Sequence, residues 1–473
     1  MNARIRGVAD WFDQRLPISE TWRKHLSRYP APKNFNVWYA FGSLLILVLV
    51  MQLATGLFLA IHYQPNPHLA YYSVLRGMMR DTHWGWLIRY MHTTGASAFF
   101  VLVYLHLYRG VMYGSYKKPR ELLWVIGVAI YLVLAAEAFL GYLLPWGQMS
   151  YWGSMAVMNF ATAFPVIGHP IAEWLRGSFT VGLPTLNRFF VFHVFLLPLL
   201  LLAIVLIHII ALHQNGSNNP DGIDIHKNVN KAGWPVDAIP FHPYYSVKDT
   251  VGVGVFLLIF FWLVFFHPQG AGLLVDKLNY SPANPIQTPS DIHPLWYFLP
   301  YYAMLRGVPE KFYGVLTFVF VFVMLVALPW LDRNPVRSIR YRSLLYKVNI
   351  LVMPLVFIWL GIVAFGKATE PNMVYGLHVT EVFYMTFWFL PFFNKPRPRW
   401  VALVWFVVFE ACVWLIDYWM FYTHAHGWAL MLHTTWIPAL WVAVIMLSAA
   451  IWPRLTRDAQ RMPEHLTAGG LLH

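Results

Sequence analysis

The sequence has almost no cysteine and little charge. Its 473 residues include a single cysteine, Cys412, which excludes an intrachain disulfide and any cluster held by several cysteines. The CxxCH pattern that attaches haem covalently is also absent. Charged residues make up only 12% of the chain and apolar residues 58%, a composition that excludes an ordinary soluble domain.

The sequence contains several long apolar segments with few charged residues. Runs of about 20 apolar residues, the length with which an α-helix crosses a bilayer, recur along the chain. We therefore predict an all-α, polytopic membrane protein with about ten spans. The predicted spans are 37–61, 86–110, 121–143, 188–213, 250–267, 312–331, 347–366, 374–393, 400–422 and 428–451. The chain starts with a polar, partly amphipathic stretch, so no cleavable signal peptide is expected.

The basic residues are unevenly distributed. The net charge is +13, and Lys and Arg gather in the N-terminal tail, in alternate loops and in the C-terminal tail. This pattern satisfies the positive-inside rule for ten spans with both termini in the cytoplasm. We attribute the positive charge to loops that face anionic membrane lipid, and we expect no nucleic-acid partner.

Two predicted spans carry two histidines each, His92 with His106 and His193 with His208. An ionisable side chain inside a bilayer is costly and so indicates function, although a single histidine is as often an interhelical hydrogen-bonding residue. Both spans run from the outer to the inner face, so the first histidines of each span meet near the outer face and the second near the inner face. Pairs of facing imidazoles are the ligands that two non-covalent, six-coordinate b-type haems need. We predict His92 and His193 on the outer haem iron, and His106 and His208 on the inner one.

The two histidine intervals differ by one residue, 14 against 15. At 100° per residue, 14 steps return a side chain close to its starting face, whereas 15 steps turn it about 60° past that face. The second helix therefore needs a local adjustment between its histidines. Pro198 lies in that interval, and a proline permits a kink or bulge.

Glycines repeat the 14-residue interval. Gly42 and Gly56 in the first span have this separation, as do Gly127 and Gly141 in the third. Small residues are common where membrane helices pack, but the matched interval favours helices that carry no Cβ at the depth of each haem. Two arginines lie three residues outside a predicted ligand, where they can pair with haem propionates or extend to the interface: Arg89 and Arg109.

Two long outer loops and one inner group of residues are candidates for substrate binding. The segment GYLLPWGQMSYWG (141–153) and the outer connection 268–311 are rich in proline and aromatic residues. Together they can wall an apolar pocket for a hydrophobic ring such as a quinone. On the inner side His213, Lys248 and Asp249 can converge to exchange protons with a quinone, or can be ordinary surface polar residues.

At these residues the chain resembles cytochrome b, the haem-carrying subunit of the cytochrome bc complex (respiratory complex III). The resemblance covers about residues 1–395. It includes the histidine helices, the paired glycines and, in order, WFDQRLPI, GYLLPWGQMSYWG, TLNRFFVFH, HQNGSNNPDGI, FHPYYSVKD and SPANP. It implies a homodimer that works with the Rieske iron–sulfur protein and a membrane-anchored c-type cytochrome in a bacterial inner (cytoplasmic) membrane.

The resemblance also implies an activity, that of a quinol:cytochrome c oxidoreductase. Quinol would be oxidised at the outer face with electron bifurcation. One electron would leave to the Rieske protein, and the other would cross both haems to a quinone reduction site at the inner face, coupled to proton translocation. The outer site would involve Tyr142, Gly153, Pro294, Trp296 and Tyr297. The inner site would involve His213, Lys248 and Asp249.

Three features depart from the family pattern. The outer loop usually reads Pro-Glu-Trp-Tyr, but here Leu295 replaces the glutamate assigned to proton exit. The alternative proton acceptors are water and three nearby residues, Asp291, His293 and Tyr297. The second departure is the 15-residue interval between His193 and His208, which resembles the photosynthetic cytochrome b–f branch of the family. Residues 396–473 add two spans beyond the family pattern. Their polar residues Glu410, Cys412 and Asp417 can be functional, but a scaffold or partner-binding role is favoured for the extension.

We expect four regions along the chain. They are an amphipathic cytoplasmic segment (1–36), the dihaem four-helix bundle (37–249), a C-terminal cytochrome b domain with the outer quinol-site loop (250–395), and the two-span extension with its cytoplasmic tail (396–473). Two rival functions are open. A dihaem anchor that only conducts electrons between a dehydrogenase and quinone would not require the two outer loops. A transporter with histidine proton relays predicts inverted repeats and broken helices, which the sequence does not show.

Overall fold

The computed structural model describes residues 3–423, 434–459 and 462–467, and it is almost entirely helical. The helices are α1 (Ala3–Asp13), α2 (Ile18–Trp22), α3 (Phe41–His62), α4 (Ala70–Tyr72), α5 (Gly85–Tyr113), α6 (Glu121–Leu143), α7 (Gln148–Met158), α8 (Gly168–Arg176), α9 (Leu183–Val191), α10 (Leu197–Asn215), α11 (Phe241–Phe266), α12 (Leu299–Gly307), α13 (Lys311–Leu331), α14 (Leu344–Phe365), α15 (Glu370–Trp388), α16 (Arg399–Thr423) and α17 (Trp436–Ile451). Two short antiparallel strands, β1 (Pro30–Pro32) and β2 (Ala238–Pro240), pair on the inner side. The predicted all-α fold is confirmed.

Eight helices of the described chain are long and apolar enough to cross a membrane. They correspond to eight of the ten predicted spans. The other two predicted spans correspond to α15 and α17. α15 has 19 residues and buries polar side chains such as His378 and Thr380, which lowers its hydropathy. α17 has 16 residues, and the start of its predicted span (428–451) lies outside the described residues.

A bundle of four spans forms one side of the molecule. α3 packs along α5, and α6 packs along α10. The large core of buried apolar residues extends from this bundle to α17, since Leu44 and Ala450 belong to the same cluster. Three of the four predicted regions (37–249, 250–395 and 396–473) therefore share one continuous core, and the boundaries of all four stay a prediction.

The helix that carries His193 and His208 contains a π-helical turn. α9 passes into α10 through a π-helix over Phe192–Leu196, which includes His193 and ends just before Pro198. A π turn takes up one residue more than an α turn, and such turns recur at functional sites. The 15-residue interval then acts as a 14-residue interval. This is the local adjustment that the spacing predicted.

Buried aspartates tie the inner loops together. Asp221 accepts hydrogen bonds from Asn34 Nδ2 at 2.8 Å, from Arg340 Nη1 at 3.0 Å and from the Thr467 backbone N–H at 2.9 Å. These contacts join the N-terminal segment, the loop after α13 and the C-terminal tail. The inner ends of the spans are thus fixed relative to one another.

A second inner cluster surrounds Asp332, directly after α13. Its carboxylate lies 3.0 Å from Lys117 Nζ and 3.0 Å from Arg342 Nη1, and it accepts a hydrogen bond from Tyr116 Oη at 2.6 Å. Burial alone would raise the pKa of Asp332, but the two cations outweigh burial and hold the pKa below its usual range. The cluster connects three segments through one fully buried charge network.

Replacing Asp332 with asparagine is expected to destabilise the protein by about 3–5 kcal/mol, because Lys117 and Arg342 are left buried without a counter-charge. The loss in the free energy of unfolding should be complete above about pH 4, near the pKa of an unfolded aspartate. It should shrink as the pH falls toward the lowered pKa of Asp332 in the folded protein. Thermal unfolding of the detergent-solubilised complex at two pH values measures both effects. Equal melting temperatures at pH 7 for Asp332→Asn and the half-buried control Glu121→Gln would contradict this account.

Candidate haem and quinone sites

The outer histidine pair is formed by α5 and the π-helical turn before α10. The imidazole ring centroids of His92 and His193 lie 6.2 Å apart, and the ring planes are perpendicular, at 90°. An iron atom midway would lie about 3 Å from each centroid, which is the sum of a metal–nitrogen bond of about 2.0 Å and a ring radius of about 1.1 Å. The separation therefore fits a six-coordinate haem iron between the two rings.

Each outer histidine is held at its Nδ1 atom. Nδ1 of His92 lies 2.9 Å from Thr55 Oγ1, and Thr55 donates its own hydrogen to the Met51 carbonyl oxygen at 2.6 Å. Nδ1 of His193 lies 3.0 Å from the Glu137 carbonyl oxygen. Both acceptors require a proton on Nδ1. The Nε2 lone pairs are then directed to a metal, which is how ligating histidines are commonly oriented.

Each predicted glycine faces one predicted histidine ligand. A Cβ atom built on these glycines would lie at or inside van der Waals contact with the imidazole. The distances to the ring are 3.1 Å for Gly56 and His92, 2.3 Å for Gly141 and His193, 3.4 Å for Gly42 and His106, and 3.3 Å for Gly127 and His208. The absent side chains therefore make room for the four imidazole rings themselves, at two depths of the bundle.

The inner pair lies deeper on the same two helices. His106 lies on α5 beside Gly42, and His208 lies on α10 beside Gly127. Nη2 of Arg109 lies 3.4 Å from His106 Nδ1, and the guanidinium lies 4.8 Å from the centroid of the Tyr39 ring. Nδ1 of His208 makes no hydrogen bond of good geometry within the described chain, although the Leu123 carbonyl lies nearby.

The two predicted propionate-binding arginines keep donors for an anion. Arg89 donates to the Thr93 hydroxyl. Arg109 donates to Ser115 Oγ at 3.4 Å, and its buried Nε has no partner among the described residues. The glycines beside all four imidazoles, the Nδ1 contacts of the outer pair and these guanidinium groups together fit two b-type haems. We keep the haem ligation itself as a proposal.

A cavity of about 470 Å³ joins the outer histidine pair to the outer loops. Its lining residues include His92 and His193 and also Tyr142, Leu295 and Tyr297. Its volume is in the range of small-molecule sites, about 300–1,000 Å³. The walls are mostly apolar, so the cavity can accept a hydrophobic ring system beside the histidine pair.

Polar contacts position the residues predicted for the outer quinol site. Asn279 Nδ2 donates to Tyr142 Oη at 3.0 Å, and Trp296 Nε1 donates to Ser97 Oγ at 3.1 Å. A Cβ at Gly153 would lie 3.9 Å from the Tyr142 ring. The structure therefore brings Tyr142 and Gly153 together from the first outer loop and fixes Trp296 against α5.

Among the three candidate proton acceptors of the outer loop, His293 has a carboxylate partner. Its Nε2 lies 3.4 Å from Asp276 Oδ2, and its Nδ1 lies 3.2 Å from the Pro294 carbonyl oxygen. Asp291 is exposed to solvent. Tyr297 is buried, and burial raises the pKa of its phenol, so at neutral pH it has no basic form to accept a proton. Of the three candidate residues, His293 has the best geometry.

The predicted inner-site residues lie on two helices, α10 and α11, and make no hydrogen bond with one another in the described chain. His213, near the end of α10, has its Nδ1 3.5 Å from His25 Nδ1 in the N-terminal segment. Lys248 and Asp249 lie near the start of α11, where Lys248 Nζ lies 5.2 Å from the centroid of the Tyr245 ring. The N-terminal segment occupies the inner side next to His213, and this arrangement was not predicted.

Sequence reasoning missed the residues that position the predicted ones. Glu137 lies four residues before Gly141, so helical periodicity could have placed it on the histidine-facing side. Thr55 directly precedes Gly56, about 100° around the helix, so periodicity alone would not have selected it. His25 and Asp276 lie in segments that have no such periodicity. No signal in the sequence could have paired them with their histidine partners.

Two family models match the chain. The family described as Cytochrome b/b6/petB matches residues 26–216, and the family described as Cytochrome b(C-terminal)/b6/petD matches residues 282–387. The cytochrome b of Allochromatium vinosum is 51% identical over 415 residues, which cover 84% of this chain and 99% of that protein. The cytochrome b of Rickettsia prowazekii is 47% identical over 371 residues, which cover 78% and 90%.

A solved structure of a respiratory complex III contains a chain with a similar fold. A chain of a hyperthermophilic respiratory complex III is similar with a TM-score of 0.76 and 36% identity, and the match covers 81% of this chain and 98% of that chain. Fold and composition thus define the class, a polytopic helical membrane protein of electron transport. The chain belongs to the cytochrome b family. Within that family it is a cytochrome b subunit of a complex III type oxidoreductase, and the resemblance seen in the sequence is confirmed.

Proposed function

We propose that this cytochrome b oxidises quinol at the outer face of the membrane and bifurcates its electrons. The observation that carries the proposal is the cavity that adjoins the outer histidine pair and also Tyr142, Leu295 and Tyr297 of the outer loops. A quinol bound there would have one side toward the outer haem, where the inward electron route begins. Its other side would face the outer loops and a partner protein. A two-electron donor placed between two different one-electron acceptors is what bifurcation requires.

Residues of this chain position the ligands of the two haems that would carry the electron inward. Two b-type haems, once bound by the four histidines, would supply one-electron transfer across the membrane. Thr55 and the Glu137 carbonyl fix the outer imidazoles with the proton on Nδ1. Arg89 and Arg109 would bind the propionates. The π-helical turn sets both histidines of α9–α10 toward the same side of the helix.

The outward electron needs partners, because the sequence offers no ligands for a redox centre beyond the two proposed haems. It has one cysteine and no CxxCH motif, so it holds neither a cysteine-ligated iron–sulfur cluster nor a covalent c-type haem. We propose the Rieske iron–sulfur protein as the first acceptor and a membrane-anchored c-type cytochrome as the next. We further propose a homodimer in a bacterial inner membrane with both termini in the cytoplasm.

The proton released outward would pass through His293. Leu295 cannot accept a proton, whereas His293 lies two residues before it and pairs with Asp276. Asp276 in turn follows Val275, which lines the outer cavity as Leu295 does. A histidine beside a carboxylate can accept a proton from the bound quinol and release it to solvent.

Replacing His293 with glutamine is expected to slow quinol-driven cytochrome c reduction by about 10–100-fold. This is less than the roughly 10²–10⁴-fold typical of general acid–base catalysis, because water can partly substitute. The control His267→Gln, also on the outer side, should keep the wild-type rate. An unchanged His293→Gln variant, or a loss found in Asp291→Asn instead, would contradict this route.

At the inner face, quinone reduction takes up protons from the cytoplasm. His213 with His25 beside it, together with Lys248 and Asp249, supplies the exchangeable protons there. We propose that these residues face a quinone from two sides, with the N-terminal segment forming part of the site. The coupled release outside and uptake inside would translocate protons.

A further inference from the structure

A group of buried titratable residues lies outside both proposed quinone sites. His378 and Glu381 are three residues apart on α15, and Asp417 faces them from α16. His378 Nδ1 lies 3.0 Å from Glu381 Oε2 and 3.6 Å from Asp417 Oδ2. The side chains of His378 and Asp417 are fully buried, and that of Glu381 is 11% exposed.

The group differs from every other fully buried aspartate of the described chain. Asp221 pairs with Arg340, Asp237 with Lys33, and Asp332 with Lys117 and Arg342. Asp417 is buried to the same degree, but its ion-pair partner among the described residues is the imidazole of His378.

The Asp417 carboxylate also lacks good hydrogen bonds. Neither of its oxygens accepts a hydrogen bond of satisfactory geometry from a described residue, although the Thr435 hydroxyl and the Glu381 carboxyl are nearby. Oε1 of Glu381 is in the same situation. Buried carboxylates without compensation are expensive, and buried charges in proteins are normally paired or bound to a metal.

The geometry points to a cation between the three side chains. We propose that His378, Glu381 and Asp417 bind a divalent transition-metal cation, for which Zn²⁺ is the best-fitting ion. Zinc takes imidazole nitrogen and carboxylate oxygen at about 2.0–2.2 Å in a tetrahedron, so neighbouring ligand atoms should be about 3.3 Å apart. The observed separations of 3.0 and 3.6 Å from His378 Nδ1 bracket that value, and all three ligand atoms lie within 4.8 Å of one another.

A neighbouring residue orients the His378 ligand, and the position of the site indicates a structural role for the ion. His378 Nε2 lies 3.0 Å from Thr434 Oγ1, a contact that orients the imidazole so that Nδ1 faces the carboxylates. Thr434 lies just before α17, so the site joins α15 to both helices of the extension (396–473). The ion therefore fixes the extension to the rest of the cytochrome b, and it takes no part in electron transfer.

Metal analysis of the purified complex tests the proposal. The complex is isolated without a polyhistidine tag, its haem absorbance gives the chain concentration, and all divalent metals are counted by mass spectrometry. We expect about one Zn²⁺ or other divalent ion per chain in wild type, less than about a tenth of that in Asp417→Asn, and the wild-type value in Glu410→Gln. Glu410 is a matched control because it is also acidic and lies two turns earlier on α16.

Two further measurements keep the test decisive if Asp417→Asn does not assemble. Thr434→Ala leaves the three ligands in place and is expected to weaken Zn²⁺ binding by about 10–100-fold, as outer-shell changes do. X-ray absorption at the metal edge should show nitrogen and oxygen ligands at about 2.0 Å. The proposal is overturned if wild type contains no stoichiometric metal even after equilibration with Zn²⁺, or if Asp417→Asn keeps it. The group would then be a carboxyl pair that shares protons with His378.

Discussion

Replacing His208 with leucine is expected to remove the inner haem and leave the outer haem bound. The leucine fills a similar volume but offers no lone pair, so the iron there loses one of its two ligands. Changes in the groups behind a ligand already cost about 10–100-fold in metal affinity, and loss of the ligand itself should cost more. Haem content should fall from two per chain to one, and quinol-driven cytochrome c reduction should fall by more than ~100-fold.

Haem extraction and redox titration of the purified complex measure this change. His62→Gln is the control, because His62 is also a histidine of a membrane span but its Nδ1 bonds to the Phe58 carbonyl oxygen within α3. That variant should keep two haems. If His208→Leu also keeps two haems with wild-type potentials, His208 is not a ligand and the pairing with His106 is wrong.

A graded series of glycine-to-alanine variants is expected to follow the distances at the four histidines. A Cβ at Gly141 would lie 2.3 Å from the His193 ring, too close without a shift of the imidazole, whereas the corresponding distance at Gly42 is 3.4 Å. Overpacking costs about 1–3 kcal/mol, so haem affinity at the outer position should fall by about 5–150-fold in Gly141→Ala. Gly42→Ala should lose little.

The measurement is haem content and midpoint potential in each of the four variants. Gly254→Ala on α11 is the matched control, because a Cβ there meets nothing within 4 Å. The outer haem should respond to Gly141 and Gly56, and the inner haem to Gly127 and Gly42. Equal effects at all positions, or effects on the opposite haem, would show that these glycines serve helix packing alone.

The histidine and glycine pattern could be predicted because it repeats within single helices. Helix geometry alone places His92 and His106 on one side, and the same 14-residue interval recurs in the glycines. The extra residue between His193 and His208 predicted a distortion, but its form required the structure. A kink at Pro198 and a π-helical turn both satisfy the spacing, and the packing of α6 against α10 is not visible in a sequence.

Contacts between distant segments were beyond prediction. His293 was one of three equivalent candidates, and only its approach to Asp276, 17 residues earlier, separates it from Asp291. The extension showed three polar residues in an apolar setting, Glu410, Cys412 and Asp417. The structure brings only Asp417 to buried partners, His378 and Glu381 on α15. Single-sequence patterns report the face on which a residue lies and say little about which other helix that face meets.

The central claim is that the outer cavity splits the two electrons of quinol, and oxidant-induced reduction of the b haems tests it most directly. Membranes receive quinol and an inhibitor of the inner site, and then a pulse of oxidant that oxidises the c-type cytochrome while b-haem absorbance is followed. We predict that the b haems become more reduced when oxidant is added, with Leu295 in place. If they become oxidised instead, the chain conducts electrons along a single path, and the dihaem anchor is the correct account of its function.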